Sequence, residues 1–191
     1  MINRTKIIAI ALTGALAALA LTGCGGSSSE APSSVSTAEV TSPASSAAAS
    51  SVVDTTENGN DALDGVFSAL LEQNTISNPR EVDAINVEYD FGLAAEDVVT
   101  YKGTMSNDNG DAGLVLVVEA ADGKAEDVAN KLAAYQQDRV AYYDNYAEFD
   151  QAKTNVENAV IAFKDNTVVM VIASNESTAD LDSAVDSALA N

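Results

Sequence analysis

The chain contains one cysteine, Cys24, and no histidine among its 191 residues. A disulfide therefore cannot form within the chain, and zinc, haem and iron–sulfur sites lack their usual ligands if the Cys24 thiol is used elsewhere. The fold must then be held by an apolar core, which only a segment with a regular apolar pattern can supply. The sequence predicts no metal centre and no cofactor.

A short basic N-terminal segment and an apolar run precede Cys24. Arg4 and Lys6 are followed by 15 residues from Ile7 to Leu21 that form the apolar run. At about 1.5 Å per residue, such a helix is shorter than the roughly 30 Å hydrocarbon core of a bilayer. The run is too short for a retained membrane span and is typical of a cleavable signal peptide, which we assign to residues 1–23.

The residues Leu21-Thr22-Gly23-Cys24 resemble the lipobox of bacterial lipoproteins. The resemblance implies cleavage before Cys24, with Leu21, Thr22 and Gly23 as the signal-processing residues. It also implies addition of a diacylglyceryl group, with palmitate-type acyl chains, to the Cys24 sulfur. Since each buried CH₂ contributes about 0.8 kcal/mol, two chains form a stable anchor. We expect a protein bound to membrane lipid through Cys24, on the extracytoplasmic face of the cell membrane. An ordinary secretory signal before a free thiol is the alternative.

A Ser- and Ala-rich segment follows the predicted anchor. Of the 32 residues from Gly25 to Thr56, 11 are serine, and no helical or strand period is present. Such a segment cannot bury enough apolar surface to offset the entropy of ordering it. As a flexible coil it would span about 30 Å. We predict a disordered linker over residues 24–58 and one globular domain over residues 59–191.

The charge of the chain is strongly negative, with 29 acidic and 9 basic residues. Removal of residues 1–23 would take away two basic residues and no acidic one. Such a charge excludes the electrostatic attraction on which nucleic-acid binding depends, so no nucleic-acid partner is expected.

The pattern of residues 59–191 predicts helix, two strands, helix, two strands, helix. Helical spacing of apolar residues predicts a helix over Asp61–Gln73 and a long one from about Asp122 to Tyr146. A short helix is predicted within Ala84–Leu93, and Ser177 with Asp180 is predicted to cap the last helix. The predicted strands are Val98–Met105, Leu114–Val118, Val156–Lys164 and Val168–Ala173.

Short connections make each strand pair an antiparallel hairpin. We predict an α+β fold in which two hairpins form a four-stranded antiparallel sheet, with helices packed mainly on one face (α-β-β-α-β-β-α). The continuous apolar run Leu114–Val118 is typical of a central strand that is covered on both faces.

Several segments of this domain resemble those of a known protein family. They are Phe91-Gly92-Leu93, Glu96-Asp97-Val98-Val99, the run from Ala121 to Val128, and the run from Asn166 to Ile172. Together with the tyrosine-bearing helix, they resemble the family called domain of unknown function 4358, small lipoproteins mainly of Gram-positive bacteria. The similarity covers about Asp61–Ser174. It implies an exported, anchored α+β domain and supplies no catalytic residues.

Two clusters are candidate sites. The turn Asn107–Asp111 offers oxygen ligands for calcium, but it lacks the spacing of a calcium loop and equally fits a plain hairpin turn. Tyr135, Tyr142 and Tyr146 continue the predicted apolar stripe of their helix, which indicates a core role. Tyr143 falls off that stripe and is the predicted surface contact.

No catalytic motif is present in the sequence. A Ser-His-Asp triad is excluded by the missing histidine, and neither G-x-S-x-G nor a glycine-rich phosphate loop occurs. We expect a non-catalytic binding or interaction module whose partner is an envelope protein, a wall component or a small ligand. The alternatives are an acidic, calcium-binding envelope protein and a hydrolase that uses two carboxylates.

Overall fold

The computed structural model describes residues 2–4 and 61–190. Leu21, Thr22, Gly23, Cys24 and the linker of residues 24–58 lie outside the described residues, so the lipid anchor stays a prediction. Within the described ranges, no helix is both long enough and apolar enough to cross a membrane.

The described residues form six strands and four α-helices. The strands are β1 (Asn3–Arg4), β2 (Pro79–Glu81), β3 (Val98–Ser106), β4 (Leu114–Ala120), β5 (Val160–Lys164) and β6 (Thr167–Ile172). The α-helices are α1 (Asp61–Gln73), α2 (Ala125–Tyr143), α3 (Asp150–Glu157) and α4 (Leu181–Ala190). A π-helix spans Asn86–Asp90, and 3-10 turns span Ala95–Asp97 and Ala147–Phe149.

The strands form one sheet in the order β1-β5-β6-β4-β3-β2, and all neighbours are antiparallel. The α+β class and the antiparallel sheet are therefore confirmed. The predicted number of four strands is wrong, because residues 61–190 contribute five and β1 adds two residues at the β5 edge. The missed strand β2 is three residues long and begins at Pro79, which lacks an N–H and is tolerated at a sheet edge.

The apolar core lies on both faces of the sheet. Leu114, Leu116 and Val118 of β4 pack in one cluster with α2, while Val115 and Val117 pack in the other with α1 and α4. The prediction that helices cover mainly one face is therefore wrong. Successive side chains of a strand point to opposite faces, and a strand that is apolar at every position needs cover on both.

The chain between α2 and β5 also differs from the prediction. The long helix ends at Tyr143 rather than near Tyr146, and α3 occupies residues that were predicted to begin a strand. Ala152 and Val156 of α3 are fully buried, because their spacing of four places them on one helical face. Gln136 Nε2 of α2 donates to the Val156 carbonyl at 2.7 Å, which fixes the end of α3 against α2.

The last helix begins later than Ser177. Asp180 precedes α4, and its carboxylate accepts hydrogen bonds from the Ser183 N–H at 3.1 Å and from the Ser183 hydroxyl at 2.7 Å. Asp180 therefore caps the helix, because its oxygens satisfy a donor of the first turn. Ser177 instead donates from Oγ to the Gln73 carbonyl at 3.4 Å, which links it to α1.

Candidate functional site

A cleft of about 490 Å³ lies beside the β2 edge of the sheet. Its lining comes from β2, the π-helix, the end of β3, the turn of residues 107–113 and the second half of α2. Single-turn π-helices occur frequently at functional sites, and this one contributes Tyr89 and Asp90 to the rim. The cleft is thus built from elements that are distant in sequence.

Four of the six tyrosines line this cleft. Tyr89 and Tyr142 are 74% and 42% exposed, whereas Tyr143 is 2% exposed. The Tyr135 ring stands edge-on to the Phe91 ring, with centroids 4.7 Å apart. Two tyrosines are therefore held by the core, and two present ring surface to the solvent.

The exposure predicted for Tyr143 is wrong. Tyr143 is 18 residues after Ala125, the first residue of α2, which is about five helical turns. It therefore lies in line with the buried stripe that contains Ala125, Val128 and Leu132. Tyr142 is rotated by about 100° from that stripe and is the exposed member of the pair.

Arg139 is held against the aromatic wall. Its guanidinium carbon lies 4.7 Å from the centroid of the Tyr142 ring and 4.7 Å from that of the Tyr143 ring. Its Nη2 donates a 2.8 Å hydrogen bond to the Tyr143 hydroxyl. Contact with two rings and one hydroxyl orients the planar group without neutralising its charge.

Arg80 is held by the π-helix on another wall of the cleft. Its Nη1 donates to Asn86 Oδ1 at 3.0 Å, and Asn86 Nδ2 donates to Asp90 Oδ2 at 2.7 Å. The backbone N–H of Asp83 also donates to Asn86 Oδ1, at 3.2 Å. Arg80 is thereby positioned through a neutral amide.

The two cleft arginines have no carboxylate partner in the described part of the chain. By contrast, Lys102, Lys124, Lys131 and Lys153 each form an ion pair with an aspartate at 2.6–3.1 Å. Arg80 and Arg139 are the only arginines in residues 61–191. Both unpaired guanidinium groups of the described domain therefore line one cleft.

The charges of both arginines affect the pKa of the Tyr135 hydroxyl. Burial raises the pKa of Tyr135 above its ordinary value, and the negative charge of Asp90 raises that pKa further. The positive charges of Arg139 and Arg80 lower the same pKa and so partly oppose the effect of burial. Arg80, Asp90 and Arg139 thus act on the same polar atom.

The acidic turn uses its carboxylates to hold its own shape. Asp111 Oδ1 accepts hydrogen bonds from the Gly113 N–H at 3.0 Å and from the Asn175 N–H at 3.1 Å. Asn78 Nδ2 donates to Asp108 Oδ1 at 2.7 Å. Among residues 2–4 and 61–190, no group of three or more acidic, histidine or cysteine side chains is arranged to hold a metal ion.

Arg80 and Arg139 were not among the site residues predicted from the sequence. They are far apart along the chain and belong to no motif. One signal was available: arginine is scarce, with three in the whole sequence, in a chain that carries 29 acidic residues.

Comparison with known proteins identifies a family. The family model described as Domain of unknown function (DUF4358) matches residues 72–173, which is more than half of the chain. All the residues that line the cleft fall within this range, whereas α4 lies outside it. No curated protein and no solved structure matches the chain.

Proposed function

The chain belongs to the DUF4358 family, whose description assigns no activity, and we propose that it is a membrane-anchored extracytoplasmic lipoprotein whose domain is a non-catalytic binding module. The cleft carries this proposal. It combines exposed aromatic surface with a few fixed polar groups, which is the usual make-up of a small-molecule site. Its partner would be a small ligand, a wall component or a segment of an envelope protein.

Binding accounts for the cleft better than carboxylate-dependent hydrolysis does. Asp90, Asp108, Asp111 and Asp138 line it. Asp108 and Asp111 already accept hydrogen bonds that fix the turn, and Asp90 accepts one from Asn86. A catalytic pair must instead be able to reach the reacting bond. The same bonds favour a structural role for the acidic turn over calcium binding.

The anchor half of the proposal rests on the sequence. The lipobox Leu21-Thr22-Gly23-Cys24 supports acylation, and the linker of residues 24–58 is long enough to separate the domain from the lipid headgroups. The cleft would then face partners outside the cytoplasm.

Tyrosine fluorescence provides the test, because the chain has no tryptophan and four of its six tyrosines line the cleft. The full chain in detergent would be titrated with small-molecule fractions of the cell envelope. We expect a saturable signal that is lost in Tyr142→Ala and kept in Tyr146→Ala. Tyr146 is a matched control because it is 40% exposed, like Tyr142, and does not line the cleft. No saturable signal, or equal signals from both variants, would contradict the proposal.

A further inference from the structure

We propose that the cleft binds a carboxylate group of its ligand between Arg80 and Arg139, with Tyr89 and Tyr142 packing on an adjacent flat or apolar part of the ligand. The inference rests on the proposed binding function and specifies the chemical class of the ligand.

The first argument is the state of the two arginines. Each donates one side-chain hydrogen bond within the described residues, to Asn86 and to Tyr143 respectively. A guanidinium group has five N–H donors, so most of them remain for a ligand. Both groups are already oriented, which lowers the entropy cost of binding an anion.

The second argument is where these charges lie. Residues 61–191 carry 25 acidic and 7 basic residues. In the described part of this acidic domain, four lysines are paired with aspartates, while both arginines are left unpaired in one cleft. A planar guanidinium matches a carboxylate in a two-point arrangement that a lysine cannot make.

The third argument selects a monoanion over a phosphate dianion. Four carboxylates, those of Asp90, Asp108, Asp111 and Asp138, line the same cleft as the arginines. Their repulsion grows with the charge of the ligand, and a carboxylate experiences about half of what a dianion does. A free organic acid and the C-terminus of a peptide share this chemistry.

The fourth argument concerns the rest of the ligand. Tyr89 and Tyr142 are the exposed rings of the cleft, and Met105 adds an adaptable apolar side chain. An apolar or ring-shaped group beside the carboxylate would cover these surfaces and exclude water from the ion pairs.

Calorimetric titration of the full chain in detergent tests the inference. The probes are N-acetyl-phenylalanine, its uncharged amide, a short peptide ending in phenylalanine with a free or an amidated C-terminus, and inorganic phosphate. We expect both acids to bind and both amides to bind at least about tenfold more weakly. Preference for the free acid or for the peptide distinguishes the two sources of carboxylate.

Variants assign the binding to the arginines. Arg80→Gln and Arg139→Gln should each weaken acid binding about tenfold or more, and Arg139→Lys should weaken it because the fork is lost while the charge stays. Lys102→Gln removes one positive charge outside the cleft and should leave binding unchanged. Circular dichroism checks that each variant is folded. If Arg139→Gln unfolds, the two other single variants, Arg80→Gln and Arg139→Lys, still decide the test.

Four results would overturn the inference. They are equal affinity for acids and amides, tighter binding of phosphate, no binding of either acid, and retained acid affinity in folded arginine variants. If acids and amides bind with equal affinity and Tyr142→Ala abolishes both, the ligand need not be a carboxylate, but the cleft still binds it. Failure of this inference can therefore be distinguished from failure of the proposed binding function.

Discussion

The Ser174 N–H donates a 2.9 Å hydrogen bond to Asn74 Oδ1, one hundred residues earlier in the chain. Asn74 Nδ2 in turn donates to the carbonyls of Ile172 at 2.8 Å and of Leu114 at 3.4 Å. The Asn74 side chain is fully buried. One amide therefore ties the end of α1 to the two central strands.

We expect Asn74→Leu to lower the free energy of unfolding by about 2–3 kcal/mol, because the buried Ser174 N–H and Ile172 carbonyl would lose this partner. Urea unfolding followed by circular dichroism measures the change. Ser68→Ala, an exposed position on the same helix, should change it by less than about 0.5 kcal/mol. Similar small values for both variants would show that the amide is not a structural tie.

A second prediction concerns the contact between β3 and the segment after β2. A Cβ added at Gly103 would lie 2.7 Å from Val82 Cγ2 and 3.0 Å from Leu116 Cδ1. Gly103→Ala should therefore cost about 1–3 kcal/mol through overpacking. Val82→Ala removes Cγ2 but leaves the Val82 Cβ 2.9 Å from the added atom, so it should relieve part of that cost. The double variant should therefore be more stable than the sum of the single changes predicts. Strict additivity in urea unfolding would contradict this.

Helix α1 and the turn between β5 and β6 could be predicted because each is determined by a few neighbouring residues. The bounds of α1 followed from Leu63, Phe67 and Leu70 at helical spacing, and all three are buried. The short connection predicted between the last two strands is a turn at Asp165-Asn166, and Asp165 has φ 54°, a left-handed conformation that aspartate tolerates.

The candidate site could not be predicted in the same way. β2 forms because β3 offers a free edge, and the short segment Pro79–Glu81 carries no pattern of its own. Arg80 and Arg139 meet in one cleft only because the sheet places β2 near the second half of α2. The error at Tyr143 arose because a small shift of the assumed stripe exchanges neighbouring residues of a helix.

Acid stability should depend on Asp97, a carboxylate that is 6% exposed. Lys124 Nζ lies 2.9 Å and Lys131 Nζ 3.1 Å from its two oxygens. The hydrogen bond from Lys124, followed by that from Lys131, holds the pKa of Asp97 below its ordinary value of 3.8, against the opposite effect of burial.

Because the pKa of Asp97 is lower in the folded chain than in the unfolded one, its contribution to stability is complete above the ordinary value. It is lost as pH falls through the folded value. We expect Asp97→Asn to lower stability at neutral pH and to flatten the decline of stability with acid. Urea midpoints across the acid range measure this. Glu148→Gln, at an exposed carboxylate, should leave the slope nearly unchanged, and equal slopes in Asp97→Asn and the parent would refute the prediction.

The anchor gives the last prediction. If the two acyl chains of a diacylglyceryl group on the Cys24 sulfur hold the protein at the membrane, Cys24→Ser should abolish incorporation of labelled fatty acid. It should also move the protein out of the membrane fraction, because the buried acyl chains would provide the attachment. Ser27→Ala, three residues later, should keep both label and membrane association. Intact-mass measurement of the parent should show a chain that begins at Cys24 and carries the lipid. A free thiol behind an uncleaved leader would show that the lipobox resemblance is misleading, and membrane-bound Cys24→Ser protein would show that the anchor lies elsewhere.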